Sequence, residues 1–286
     1  MTTSRDPYVV VGIDESAASQ AALDWAADDA AARHDQLRVG HAWRIALRQL
    51  PDADGGRLVE AARQAAEELV ARAERRVRDR HPELELTTEL LPGEPAVNLL
   101  SLAEGADLLV VGARGLSRFP ELLLGSVGET LAAHSPCPVA VVRTAASGSG
   151  PVVVGVAPDE RREPVEFAFA EAERRGVPVR AVRGWLDPQT PPGHTVPPAE
   201  VVERDRAERE ELATVLAPVR EAFPSVAVRI EVGPVEPEAA LVDASWDTSL
   251  LVVGARRHRG RFALPLGRVT RRALHHARCP VAVVPV

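Results

Sequence analysis

The chain contains one sequence pattern twice, and this repetition constrains its fold more than any other feature. The segment from Val9 to Gly12 recurs 143 residues later, and the segments 108–113 and 137–142 recur 142 residues later. A nearly constant offset across the whole length indicates two copies of one domain in tandem. We therefore predict domains at 1–145 and 151–286, joined at 144–150 by a short linker rich in Ala, Ser and Gly.

Within each copy, short apolar segments alternate with longer helical ones. In the first copy we predict strands at 8–13, 37–43, 84–90, 107–111 and 138–143, with helices at 16–33, 57–80, 95–104 and 126–134. In the second copy the predicted strands are 151–157, 177–185, 226–232, 250–253 and 280–284, and the predicted helices are 163–175, 199–222, 236–244 and 267–276. Strands that are apolar throughout are typical of a parallel sheet covered by helices on both faces. The fold class that follows is α/β, with two tandem three-layer α/β/α domains.

Charge and composition argue against several functional classes. The formal net charge is −7 and no long basic run is present, so we expect no nucleic-acid binding. No apolar run approaches the length of a membrane span, and we expect no membrane association. The first residues lack the core of a signal peptide and the chain has two cysteines, so we expect a cytoplasmic location. Cys137 and Cys279 occupy equivalent positions and are expected to be buried thiols, although their spacing leaves a disulfide open.

Glycines at fixed spacing follow the fourth predicted strand. The pattern is Gly112-x2-Gly115-x9-Gly125-Ser126. Glycines at a strand's carboxyl end allow the backbone to approach a ligand closely and to adopt positive φ. Ser126-Val-Gly-Glu129 has the form of a capping box, which predicts a helix start whose N–H groups would suit a phosphate. The pattern predicts nucleotide binding; the alternative is a glycine-rich loop before a well-capped helix.

This glycine pattern, preceded by a first strand that ends in Gly12-Ile-Asp14, resembles the universal stress protein family. The resemblance covers both copies, although it is weaker at the second glycine loop. It implies a five-stranded parallel sheet in the order 3-2-1-4-5, with helices on both faces. The ATP-binding branch of the family carries the same glycine pattern, so the resemblance implies ATP as the ligand, with or without Mg²⁺, and no protein ligand for a metal is identifiable.

The resemblance also assigns roles to individual residues. Asp14 matches an aspartate beside the base, and its alternative role is to cap the following helix. Ala42 matches a small position whose backbone meets adenine, and its alternative role is plain core packing. Arg114 could neutralise phosphate charge, although exposed arginines are common. The full implied set is Gly12, Asp14, Ala42, Gly112, Arg114, Gly115, Gly125, Ser126 and Val127.

The second copy departs from this pattern at the positions that matter most. Ala157 stands at the Asp14 position, Gly184 at Ala42, Arg257 at Gly115 and Arg268 at Ser126, which removes the hydroxyl. We therefore predict that a second nucleotide site is weak or absent. The alternatives are a pocket for another anion or simply a solvated loop, in either case formed by Arg256, Arg257, Arg259, Arg261 and Arg268.

Three functions are consistent with the sequence. The first is an ATP-binding sensor or regulator in a stress response, with nucleotide held mainly by the first domain. The second is a slow ATPase, but no catalytic residue or general base is evident, so at most weak activity is expected. The third is a dimeric scaffold without nucleotide. The apolar last strands, 138–142 and 280–284, need covering, and the resemblance implies that they pair as an intrachain pseudo-dimer, with a homodimer of chains also expected.

Overall fold

A computed structural model describes residues 6–43, 55–113, 124–143, 150–186, 197–255 and 266–286. The chain divides into two compact units, Met1–Ala145 and Ala146–Val286. Among the predicted site residues, Arg114 and Gly115 lie outside the described residues. The same is true of the predicted linker up to residue 149 and of Arg256, Arg257, Arg259 and Arg261.

The first unit is a five-stranded parallel sheet with helices between successive strands. Its elements are β1 (Tyr8–Gly12), α1 (Ala17–Arg33), β2 (Gln36–Trp43), α2 (Gly55–Arg80), β3 (Leu86–Pro92), α3 (Pro95–Leu102), β4 (Leu108–Gly112), α4 (Ser126–His134) and β5 (Val139–Val142). β1 pairs with β2 and β4, β2 also pairs with β3, and β4 with β5, all in parallel. The strand order in this unit is therefore β3-β2-β1-β4-β5, and the predicted fold class is confirmed.

The strands of this sheet are buried because helices cover both faces. All five residues of β1 are buried, as are the first four of β4, so their apolar side chains form the centre of the core. The helices contact one another as α1 with α2 and α3 with α4, one pair for each face. Parallel strands connected by helices place every strand's carboxyl end at the same edge of the sheet. This edge is where the predicted site residues of the first unit converge.

The second unit repeats the arrangement. Its elements are β6 (Val152–Gly155), α5 (Arg162–Arg175), β7 (Val179–Gly184), α6 (Pro198–Ala222), β8 (Val228–Gly233), α7 (Pro237–Ala244), β9 (Leu250–Ala255), α8 (Arg268–His276) and β10 (Val281–Pro285). The parallel pairings give the order β8-β7-β6-β9-β10 within this unit. Cys137 and Cys279 are both buried thiols that are not joined in a disulfide, as predicted. Within the described part of the chain, no helix has the length and apolar character needed to cross a membrane.

The third strand of the first unit lies further along the chain than predicted. The alternation of Leu84, Leu86 and Leu90 predicted a strand over 84–90, but β3 spans Leu86–Pro92. A turn delays the strand, because the Leu84 N–H donates to the His81 carbonyl oxygen directly after α2. Leu84, the first residue of the alternating pattern, therefore belongs to a turn and not to the strand, and the alternation of apolar residues does not reveal this turn.

Paired charges join α1 to α2 on the surface of the first unit. The Arg76 guanidinium donates to both carboxylate oxygens of Asp24, at 2.6 and 2.7 Å, and Arg80 does the same to Asp28. His81 Nε2 lies 2.7 Å from Asp28 Oδ1. Partial burial raises the pKa of Asp28, but hydrogen bonds and charge from Arg80 and His81 outweigh it and hold the pKa below its ordinary value. The folded state therefore stabilises the ionised form of this carboxyl group.

We expect Asp28→Asn to lower the free energy of unfolding at pH 7 by about 0.5–1 kcal/mol, as for a partly exposed ion pair. Because the pKa of Asp28 is lower in the folded than in the unfolded chain, this contribution is present above the ordinary value of 3.8 and is lost as the pH falls through the folded value. Urea unfolding at pH 7 and pH 3 measures it. Asp79→Asn, at an exposed position of α2, is the control. An equal effect of Asp28→Asn at both pH values would contradict the pairing.

Candidate functional site

The carboxyl end of β1 turns tightly into α1, and Asp14 lies in this turn. The Asp14 N–H donates to Ser19 Oγ at 2.8 Å, and Asp14 Oδ1 accepts from the Ser16 N–H at 2.9 Å. Ser16 Oγ accepts from the Ser19 N–H, so Ser16 is the N-cap of α1, as predicted. Asp14 is half-buried, and its Oδ1 is the carboxylate oxygen that accepts a hydrogen bond within the described part of the turn. The carboxylate thus supports the turn and still faces the sheet edge.

The end of β2 brings Ala42 to the same edge. Ala42 lies opposite Leu91 of β3 and is half-buried. Its neighbour His41 places Nδ1 2.8 Å from the carbonyl oxygen of Ile13, which can only accept, so Nδ1 carries the proton. His41 thereby ties the end of β2 to the end of β1. Sequence reasoning gave His41 no role, although it directly precedes a predicted site residue.

Gly12 and Gly112 are glycines because helices pack against them. A Cβ on Gly12 would lie 2.6 Å from Leu99 Cδ1, and one on Gly112 would lie 2.8 Å from the Ala18 carbonyl carbon and 2.9 Å from the Ser19 nitrogen. The backbone of α1 therefore occupies the space beside Gly112. Neither glycine has a positive φ, so the expectation of positive φ, which the glycine pattern gave for Gly112, is wrong there. At these two positions the missing side chain allows close helix packing.

The amino end of α4 is held against the end of β4. The Gly125 N–H donates to the Ala113 carbonyl oxygen at 2.9 Å, and the Ala113 N–H donates to Val142 of β5 at 2.7 Å. Gly125 is the N-cap with φ −78° and ψ 154°, so positive φ is absent here too. Ser126 is consequently the first residue of the helix. The predicted capping box is wrong, because Ser126 would have to be the N-cap to form it.

The first turn of α4 presents main-chain N–H groups at the sheet edge. The amides of Ser126, Val127 and Gly128 precede the first intrahelical bond, which the Glu129 N–H makes to Gly125. The N-cap has no side chain and makes no side-chain hydrogen bond to them. These amides and the helix dipole favour an anion. Because β1 and β4 are adjacent strands, the structure brings Gly12, Asp14, Ala42, Gly112, Gly125, Ser126 and Val127 to one edge.

The corresponding edge of the second unit is organised by a buried arginine. Arg183 occupies the position in the second copy that is equivalent to His41 in the first, and its side chain is almost fully buried. Its Nε donates to the Val156 carbonyl oxygen at 3.0 Å and its NH2 to that of Ala157 at 3.1 Å. Glu208 and Glu211 of α6 pair with the same guanidinium at 3.0 and 3.3 Å. Arg183 thus makes the strand-end contact that His41 makes in the first unit and carries its own counter-charges.

Acidic side chains also enter the second edge. Glu160 Oε2 accepts from the Ala157 N–H at 3.2 Å. A Cβ on Gly254, the equivalent of Gly112, would lie 2.7 Å from Glu160 Oε1, so the carboxylate occupies the space that α1 backbone fills in the first unit. Arg268, at the Ser126 position, pairs with Glu238 at 2.7 Å. The sequence analysis gave no role to Arg183 or Glu160. Arg183 could have been identified as the residue equivalent to His41 in the second copy.

The family model and the related sequences that match this chain all point to one protein family. The model of the universal stress protein family matches this chain twice, at residues 8–143 and 149–285. A universal stress protein of Mycobacterium tuberculosis strain H37Rv is 33% identical over 297 residues, covering 96% of this chain and 95% of the relative. One from Mycobacterium bovis is 31% identical over 293 residues, with 96% of each chain covered.

A solved structure supports the fold over the full length. The crystal structure of a universal stress protein from Archaeoglobus fulgidus superposes with a TM-score of 0.70. The match covers 98% of this chain and 99% of the other, at 19% sequence identity. At that identity the similarity concerns the fold alone.

Gly112→Ala should lower the free energy of unfolding by about 1–3 kcal/mol. The added Cβ would clash with the main chain of α1, and neither the helix nor the strand can move aside without disturbing its own packing. Thermal and urea unfolding of the full chain measure the change. Gly56→Ala is the matched control, since a Cβ there meets nothing within 4 Å and an alanine in α2 should raise stability by up to about 1 kcal/mol. A Gly112→Ala protein as stable as the parent would show that this contact is not tight.

Proposed function

The chain belongs to the universal stress protein family, and from this premise we propose that its first domain binds ATP and that the protein acts as a stress-response sensor or regulator. One observation carries the proposal more than any other. The hydrogen bond from Gly125 to Ala113 holds the amino end of α4 at the sheet edge where Asp14 lies. A helix start that would favour an anion and a half-buried carboxylate thus lie at the same sheet edge, as a ligand with phosphate and hydroxyl or amino groups requires.

The phosphate end of the ligand would lie on the first turn of α4. The main-chain amides of Ser126, Val127 and Gly128 would donate to phosphate oxygens, and the exposed Ser126 hydroxyl would add a further donor. The dipole at a helix start stabilises a nearby negative charge by about 0.3–1 kcal/mol at the surface and up to about 2 kcal/mol when partly buried. Arg114 and Gly115 keep their proposed roles as phosphate contacts.

The nucleoside end of the ligand would lie between the ends of β1 and β2. Asp14 would accept hydrogen bonds from the nucleoside, since its Oδ2 has no partner among the described residues. Ala42 would offer main-chain groups to the adenine beside a small side chain. Gly12 and Gly112 would contribute indirectly, because their close packing sets the positions of α3 and α1, respectively, against the strand ends.

The second domain would not take the same ligand. It has Ala157 where the first domain has the Asp14 carboxylate, and Glu160 brings a negative charge beside Gly254. Arg268 also stands where the first domain has the Ser126 hydroxyl and is paired with Glu238, so a triphosphate would lose that donor there. The proposal is therefore one ATP per chain.

A regulatory role is favoured over catalysis. Of the described carboxylates near the edge, Asp14 supports the turn at the nucleoside end and Glu129 lies in the first turn of α4, so neither is placed as a general base. ATP would act by binding one conformation or partner complex better than another. A cytoplasmic location belongs to this proposal, and pairing of the last strands, within a chain or between chains, stays a prediction.

Ser126→Asp should lower ATP affinity by about tenfold or more, because it adds a negative charge where the phosphates would bind while remaining favourable to a helix start. Isothermal titration calorimetry of the full chain measures the affinity and the stoichiometry. Ser101→Asp is the control, since Ser101 is an exposed serine near the end of α3, at the opposite edge of the sheet. Equal ATP affinity of the Ser126→Asp and Ser101→Asp variants would contradict the phosphate assignment.

We expect bound ATP to remain intact over the time of the experiment, with or without Mg²⁺. Phosphate release from the purified chain, followed by chromatography of the nucleotide, measures turnover. Steady turnover that Ser126→Ala abolishes would support the slow-ATPase alternative instead. A folded chain that binds no adenine nucleotide, with Mg²⁺ or with a chelator, would leave the scaffold alternative.

A further inference from the structure

One peptide group after the end of β1 is bound by side chains at both of its polar atoms. It is the peptide that joins Ile13 to Asp14. His41 Nδ1 donates to its carbonyl oxygen at 2.8 Å, and its N–H donates to Ser19 Oγ at 2.8 Å. The Ile13 N–H also donates to the main-chain carbonyl oxygen of Gly40 at 2.9 Å. The plane of this peptide is therefore fixed from β2 on one side and from α1 on the other.

The two side chains that bind this peptide are part of the packed interior. Ser19 is only 3% exposed, His41 is half-buried and Ile13 is buried. Buried main-chain polar groups are nearly always hydrogen-bonded, and past the end of a strand the sheet no longer supplies every partner. His41 and Ser19 supply two of these partners. We call these two hydrogen bonds the peptide clamp.

The second domain binds the equivalent peptide in the same way with different residues. This peptide joins Val156 to Ala157. Arg183 Nε donates to its carbonyl oxygen at 3.0 Å, and its N–H donates to Glu160 Oε2 at 3.2 Å. The Val156 N–H donates to the carbonyl oxygen of Val182 at 3.1 Å. Both domains thus have a peptide clamp although the clamping residues differ, and the residue that follows the peptide is an aspartate only in the first domain.

In the first domain the peptide clamp restricts the direction of a carboxylate. A peptide group is planar, so fixing it leaves one main-chain rotation between this group and the Asp14 side chain. Asp14 Oδ1 accepts from the Ser16 N–H at 2.9 Å, which restricts the side chain further. The carboxylate is therefore oriented before a ligand binds, and a ligand does not have to supply the free energy of ordering it.

We propose that His41 and Ser19 are positioning residues of the first-domain nucleotide site and that they act through Asp14. They hold the peptide before Asp14 and thereby orient its carboxylate toward the nucleoside end of the ligand. The inference rests on the proposed ATP binding and assigns a part in it to two further residues. His41 Nδ1 and Ser19 Oγ bind the main chain in this role, so neither atom has to contact the nucleotide.

Removing the His41 donor should weaken ATP binding by the full chain. His41→Phe keeps a planar ring but has no N–H, and we expect its ATP affinity to fall by about threefold to tenfold, as for the loss of one hydrogen bond. His41→Asn should restore most of the affinity, because its amide nitrogen is bonded to Cγ as Nδ1 is. Isothermal titration calorimetry measures the affinities, and circular dichroism shows whether each variant is folded.

His134→Phe is the matched control for the loss of a ring donor. His134 also places Nδ1 close to a main-chain carbonyl oxygen, that of Thr130, at 2.9 Å. It is exposed and ends α4, at the opposite edge of the sheet from Asp14. We expect His134→Phe to leave the ATP affinity unchanged.

A double-mutant cycle with Asp14→Ala separates positioning from a general effect on the fold. Because His41 acts through Asp14 in this account, His41→Phe should change ATP affinity little once the carboxylate is absent. Ser19→Ala removes the acceptor of the Asp14 N–H and should behave like His41→Phe in both backgrounds. It also tests the inference where His41→Phe does not fold.

Three results would overturn the inference in a parent chain that binds ATP. They are a folded His41→Phe variant with the affinity of the parent, a folded His41→Asn variant as weak as His41→Phe, and equal losses with and without the Asp14 side chain. A parent chain that binds no ATP would overturn the proposed function and this inference together, so the parent measurement distinguishes the two failures.

Discussion

A single main-chain hydrogen bond, from the Gly125 N–H to the Ala113 carbonyl oxygen, determines what the first domain can present to a ligand. It holds α4 so that the helix begins at Ser126, directly beside the end of β4. Because Gly125 has no side chain, nothing from the N-cap covers the first-turn amides. The sheet thus fixes the orientation of the helix start. The first-turn amides are therefore already in position before a ligand binds.

The two domains use the same scaffold but surround its edge with different charges. In the first, His41 ties β2 to β1 and leaves Asp14 as the acidic group at the edge. In the second, Arg183 takes over this tie, and α6 supplies the carboxylates that balance it. The divergence lies in side chains at strand ends, where substitutions alter the groups offered to a ligand without disturbing the buried strands.

The repeat and the apolar strands were sufficient to predict two parallel sheets, because a buried parallel strand requires an unbroken apolar run. The strand order was predicted from the family resemblance alone. The reasons for the glycines were harder to predict. The space beside Gly112 is filled by the backbone of α1, a contact between elements distant in sequence. Arg183 and Glu160 were missed for a similar reason: a charged residue next to a strand end suggests solvent exposure, and only the fold shows that both line a cavity at the carboxyl edge of the second sheet.

A crystal structure of the full chain grown with excess ATP tests the central claim most directly, since it locates the ligand in both domains at once. The account predicts one nucleotide per chain, in the first domain, with its phosphates on the first-turn amides of α4 and its nucleoside toward Asp14 and Ala42. Phosphate density beside Glu160 in the second domain, or a first-domain edge without nucleotide, would contradict it.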